Sequence, residues 1–189
     1  MKTIKLLSIL FIGLTVFTAC SDDDNPILIN EEEVITTVEV TLTNDADTTD
    51  QVILTSTDLD GDGPNDPVVT IQGTLTAGVM YNGMVKFLNE TEDPAEDITE
   101  EVAAEADEHQ VFYQVGNLGT VTYSDEDANG NPIGLAFVYN AAATAGTGTI
   151  TVTLRHEPVK DAAGVSNGDI TNAGGSTDAS VSFDVTLTE

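Results

Sequence analysis

The chain has 189 residues, with five Lys or Arg against 33 Asp or Glu and a formal net charge of −28. That balance argues against nucleic acid as a partner, because phosphate contacts need Lys and Arg, and against electrostatic docking on anionic head groups. The chain has one cysteine and no Trp, so an intrachain disulfide is excluded and a carbohydrate-stacking platform is poorly supplied.

Lys2 and Lys5 precede the apolar run LLSILFIGLTVF, residues 6–17. A bilayer span takes about 20 residues; this shorter run reads as the h-region of an export signal. Phe17-Thr18-Ala19-Cys20 follows and resembles a bacterial lipobox. The resemblance implies that residues 1–19 are removed and that Cys20 is acylated, as by palmitate, and held at the membrane through lipid. Ser21-Asp22-Asp23-Asp24 resembles the acidic signal that sends flavobacterial lipoproteins to the outer face of the outer membrane. Residues 20–33 read as a lipidated acidic tether. Residues 34–189 read as one domain of ordinary size. Beyond residue 19 the Lys and Arg are Lys86, Arg155 and Lys160.

Period-two alternation dominates the domain. In VITTVEVTLT, Val34, Thr36, Val38, Val40 and Leu42 share one face. Further strands are expected at 51–57, 67–74, 82–89, 110–115, 119–124 and 133–140. TGTITVTLRHE places Ile150, Val152 and Leu154 inward, and SVSFDVTLT places Val181, Phe183, Val185 and Leu187 inward. Eight to nine short strands with turn residues between them predict an all-β fold, an antiparallel immunoglobulin-like β-sandwich. A barrel is the alternative.

One segment departs from this. In EDPAEDITEEVAAEADEHQ, Asp97 and Glu100 form a capping-box pattern, and Ile98, Val102 and Ala106 recur at spacing four. A short acidic helix over about 98–107 is expected. Residues 158–179, rich in Gly, Asn, Asp and Ser, form a long connection of a kind that is uncommon and tends to be functional or mobile.

Three constellations could carry chemistry. TDLDGDGPNDP sets Asp58, Asp60 and Asp62 at positions 1, 3 and 5 of a D-x-D-x-D-G loop, with Asp66 at position 9. Ca²⁺ takes six to eight oxygens, and this spacing resembles the calcium loops of EF-hands and of thrombospondin-type and dockerin repeats. Position 12 is Val69, so the bidentate Glu is missing, and Pro64 stands at position 7; an acidic turn without an ion suits the same residues. A second echo, Asp125, Asp127 and Asn129 followed by Gly130, also suits a hairpin connection. Finally, Glu101, Glu105 and His109 would share one helix face, and His156 sits at a strand end beside Glu157. Imidazole and carboxylate together can bind a transition metal such as Zn²⁺, if the two histidines converge; a solvated helix face and one half-buried histidine is the bland alternative. Nucleophilic catalysis lacks a recognisable arrangement, and Phe112, Tyr113 and Tyr123 read as core.

The chain as a whole resembles a group of small flavobacterial surface lipoproteins. CSDDD, EEEVITT, LDGDGPN, NETEDPAEDITEEV, EHQVFY, LRHEP and GDITNAGG carry the resemblance almost end to end. The group has no established chemistry. It is loosely labelled as having a type 1 periplasmic-binding fold, which implies alternating βαβ units and conflicts with the strand pattern here. The resemblance implies a surface lipoprotein serving an outer-membrane transporter, and the function expected first is a non-enzymatic module that captures a metal, a metal complex or another small nutrient for a TonB-dependent transporter. The alternative is a structural or adhesion domain stiffened by calcium, with a hydrolase third.

Overall fold

The alternating stretches pair into two sheets. The structure, a computed structural model, describes residues 33–61 and 63–189. Cys20 with the lipobox-like stretch, the residues up to 32 that read as a tether, and Asp62 lie outside the described residues.

In chain order the strands are β1 Thr37–Asn44, β2 Gln51–Thr57, β3 Val68–Gln72, β4 Leu75–Thr76, β5 Met80–Asn89 and β6 Glu96–Asp97. Helix α1 follows at Ile98–Ala104. Then come β7 His109–Gln114, β8 Gly119–Tyr123, β9 Ala136–Ala141, β10 Gly146–His156 and β11 Ser176–Thr188. One sheet runs β3-β2-β1-β5-β9-β8, with β6 paired to β5. The other runs β4-β11-β10-β7. Pairing is antiparallel except between β4 and β11. The fold is thus mostly β, and α1 is the one α-helix among the described residues; alternating βαβ units are not its plan.

The inner faces meet in one core. Val38, Val40, Leu42, Val52, Leu54, Val85 and Phe87 come from the larger sheet; Ile150, Val152, Leu154, Phe183, Val185 and Leu187 come from the smaller. Each such side chain contributes roughly 1.5–3 kcal/mol on burial. The polar residues between them face outward, which is why the Thr-rich alternation was readable.

Helix α1 starts as its cap dictates. The Asp97 side chain accepts from the Thr99 N–H, and Ile98 and Val102 are buried. It ends at Ala104, earlier than the expected 107, because His109 is already committed to β7 and pairs with His156 of β10.

The long connection after β10 is folded back on the sheet. Val165 and Ala173 bury against Phe112 on the outer face of β7, and Gln110 Nε2 donates to the Val165 carbonyl at 2.9 Å. Lys160 anchors it from beneath. Its buried ammonium donates to Asp127 Oδ2 at 3.0 Å, to the Pro132 carbonyl at 3.1 Å and to the Ala106 carbonyl. So β7 is covered on both faces, and the segment between α1 and β7 is tied down.

Candidate metal centre

At one end of the smaller sheet the inward row becomes polar. His109 opens β7, His156 closes β10, and the two are direct cross-strand partners. Their ring centroids lie 4.7 Å apart. Asp178 joins them from β11, and Glu33 reaches in from just before β1. Offering one ligand atom each, these four residues lie within 4.8 Å of one another.

Asp178 reaches the interior through a bulge. Along β11, Ser180, Ser182 and Asp184 are exposed or outward while Phe183, Val185 and Leu187 are buried. Strict alternation would send Asp178 outward as well. The register slips here: Leu154 pairs with Ala179 but Arg155 pairs with Thr177. Asp178 is the extra residue, and a bulge re-aims such a side chain. Arg155 secures the far side by donating to the carbonyls of Gly174 and Gly175 and to Thr177 Oγ1.

The geometry is tight and dry. Side-chain exposure is 0% for His109, 2% for Glu33, 1% for Asp178 and 5% for His156. His109 Nε2 lies 3.0 Å from Glu33 Oε1 and 3.9 Å from Asp178 Oδ2. His156 Nδ1 lies 3.7 Å from Glu33 Oε2 and 4.0 Å from Asp178 Oδ1. Ligand atoms around a tetrahedral zinc, with bonds near 2.0–2.1 Å, stand about 3.3 Å apart. The four residues stand wider than a closed coordination shell, at separations up to 4.8 Å, and would have to draw in to hold an ion.

The hydrogen bonding of His109 sharpens this. Its Nδ1 is 3.2 Å from the backbone carbonyl of Glu105. A carbonyl only accepts, so Nδ1 carries the proton. In the neutral ring, Nε2 then presents a lone pair directly at a Glu33 carboxylate oxygen. Two lone pairs cannot share that line without a proton or a metal ion between them. An imidazole that donates one N–H to a carbonyl and aims its other nitrogen into a cluster is the usual arrangement of a metal-ligating histidine. Glu33 Oε2 adds to the demand: it is buried and accepts no hydrogen bond. A buried carboxylate is costly unless a hydrogen bond or a positive charge meets it.

The sequence-predicted residues scatter differently. His109 and His156 come together. Glu105 approaches His109 through its carbonyl rather than its carboxylate, and the helix face that was to align Glu101, Glu105 and His109 does not exist past Ala104. Glu101 is exposed; partial desolvation, then the negative charge of Glu33, Glu105 and Glu96, raises its carboxyl above the ordinary value. Glu33 and Asp178 were missed. Glu33 sits at the end of an acidic run that reads as tether, and nothing in composition marks it out.

Among the described residues, neither aspartate loop brings three ligand atoms together. Asp125 accepts from the Gly134 and Ala136 N–H groups at 2.7 and 2.9 Å. Asp127 accepts from Asn129, Asn131 and Lys160. Backbone donors and an ammonium take the places a calcium ion would need, so the Asp125–Asp127–Asn129 stretch is a hydrogen-bonded turn. In the other loop, Asp58 accepts from the Asp60 N–H and Asp60 accepts from the Asn65 amide. Among the described residues, Asp58, Asp60 and Asp66 form no three-carboxylate cluster; Asp62 lies outside them.

Comparison with protein families, with curated proteins and with solved structures finds no match for this chain.

Proposed function

We propose that this protein is a non-enzymatic metal-binding module, an immunoglobulin-like β-sandwich held at the outer surface of the outer membrane through a lipid on Cys20. The observation that carries the reading is the buried set Glu33, His109, His156 and Asp178. Mixed imidazole and carboxylate ligands at this spacing suit a divalent transition metal such as Zn²⁺. Four protein ligands complete a tetrahedron and leave no position for a substrate, which favours binding over catalysis. The surface location rests on the lipobox and the acidic stretch after it. Delivery to a TonB-dependent transporter is the role we assign to a module that holds metal outside the cell.

A second reading has one observation in its favour. His109 is fully buried, and the cluster joins Glu33, ahead of β1, to three strands of the other sheet. A metal there would staple the two layers, as in a structural or adhesion domain.

The test is elemental analysis of protein purified without chelator, followed by calorimetric titration with Zn²⁺. One equivalent per chain is expected, with affinity at least 100-fold weaker in a His109→Ala, His156→Ala double variant. Equal affinity in the double variant would remove the cluster from consideration. Release of the bound ion to a competing chelator within minutes favours the capture role; retention until unfolding favours the staple.

A further inference from the structure

Glu108 and Glu157 stand outside the four-residue cluster, yet with His156 they form a second group whose ligand atoms lie within 4.8 Å of one another. His156 belongs to both groups. Its Nδ1 faces inward, 3.7 Å from Glu33 and 4.0 Å from Asp178. Its Nε2 faces outward, 3.7 Å from Glu108 Oε2. Glu108 has 48% of its side chain exposed, and Glu157 is exposed too. The Glu157 N–H donates to the Glu108 carbonyl at 2.6 Å, so the two acids keep their place beside the ring.

We infer that Glu108, His156 and Glu157 form a loading port through which a divalent transition metal reaches the buried cluster, with His156 receiving the ion on Nε2 and passing it to Nδ1. This rests on the metal reading above. A hydrated cation loses its water at great cost on entering a dry site. Three ligands at the rim replace that water in stages and leave a coordination position open. The imidazole suits both stages. Its two nitrogens face the two groups, Nε2 beside Glu108 and Nδ1 beside Glu33 and Asp178. A carboxylate waits at each nitrogen, which is the partner a ligating imidazole uses for its spare N–H.

The experiment measures the rate at which the intact protein takes Zn²⁺ from a colorimetric zinc indicator. The port variant is Glu108→Gln with Glu157→Gln. The control is Glu100→Gln with Asp107→Asn, which removes two exposed charges that do not join the group. Zinc-free melting temperatures report that each variant folds. Loading about tenfold slower in the port variant is expected, the lower end of what a focused negative cleft adds to association. The final zinc content should be unchanged, and the control should stay within about twofold of the parent, as general screening predicts. Parental loading by the port variant, or equal slowing in both variants, would overturn the port while leaving the buried site standing. Failure of the unaltered protein to bind zinc would overturn both.

Discussion

Asp178 and Ala179 are consecutive residues of β11, and both turn toward the interior: Asp178 into the acid–histidine cluster, Ala179 against the hydrophobic core. A regular strand cannot do this. The bulge opposite Leu154 and Arg155 is therefore the device that brings a carboxylate to two histidines.

If that carboxylate is a ligand, zinc should stabilise the protein through it. Zinc at 100 times its Kd adds about 2.7 kcal/mol to the folded state. Asp178→Asn keeps the shape and loses the charge, and should cut the zinc-induced rise in Tm by more than half. Asp184→Asn, with the same chemistry on the outward face where Asp184 accepts from Thr149, should leave the rise intact. Differential scanning calorimetry with and without zinc decides this.

Gly175 closes the same junction. A Cβ there would sit 2.1 Å from the His156 carbonyl oxygen and 2.8 Å from that of Glu157, on a backbone with φ of +69°. Gly175→Ala must therefore push β11 away from the end of β10. A loss of about 1–3 kcal/mol is expected in urea denaturation, together with weaker zinc binding. A variant of parental stability would mean that the junction yields freely.

Lys160 and Asp127 make the acid response of the fold predictable. Burial alone would raise the Asp127 carboxyl, but the Asn131 N–H, the Lys160 ammonium and the Asn129 N–H outweigh it and hold it below the ordinary value. A depressed carboxyl contributes stability above its unfolded value and loses it as pH falls through the folded one. At neutral pH, Asp127→Asn strands the buried ammonium and should cost about 3–5 kcal/mol. The gap between parent and variant should narrow as pH drops below 3.8, the ordinary value. Urea melts at pH 7 and below pH 4 provide the comparison; a constant gap would contradict the pairing.

The lipid anchor is tested apart from the fold. Cys20→Ala should stop acyl incorporation and move the protein from the membrane fraction to the soluble one. Retention at the membrane would mean that something other than lipid at Cys20 holds it.

The strands were legible because a sheet with one dry face imposes period two on the chain, and Val38, Val40 and Leu42 or Phe183, Val185 and Leu187 show it without interruption. β4 and β6, of two residues each, are too short to carry any period. The helix start was legible from Asp97, since a cap is a local interaction. Its end was not, because a long-range pairing of His109 with His156 decides it. The candidate centre was half legible for the same reason. Two histidines in one chain draw attention by scarcity, whereas Glu33 is one of three adjacent glutamates. Asp178 was hidden by the rule that revealed the strand: alternation assigns it to solvent, and only a register slip between two chains of residues far apart in sequence reverses that.

β3 ends the larger sheet, and all five of its residues are exposed, among them Val68, Val69 and Ile71. An edge strand with apolar side chains is a template for another strand. If the protein is tethered as proposed, its copies share a surface and meet far more often than copies in bulk. Such copies would repel one another, since without residues 1–19 and their two lysines the chain has 3 basic against 33 acidic residues, a formal charge of −30. Such repulsion reaches about 8 Å in physiological salt and about 3 Å at 1 M. For a protein held outside the cell, the surrounding electrolyte would thus set how densely these molecules can crowd before their edges begin to zip together.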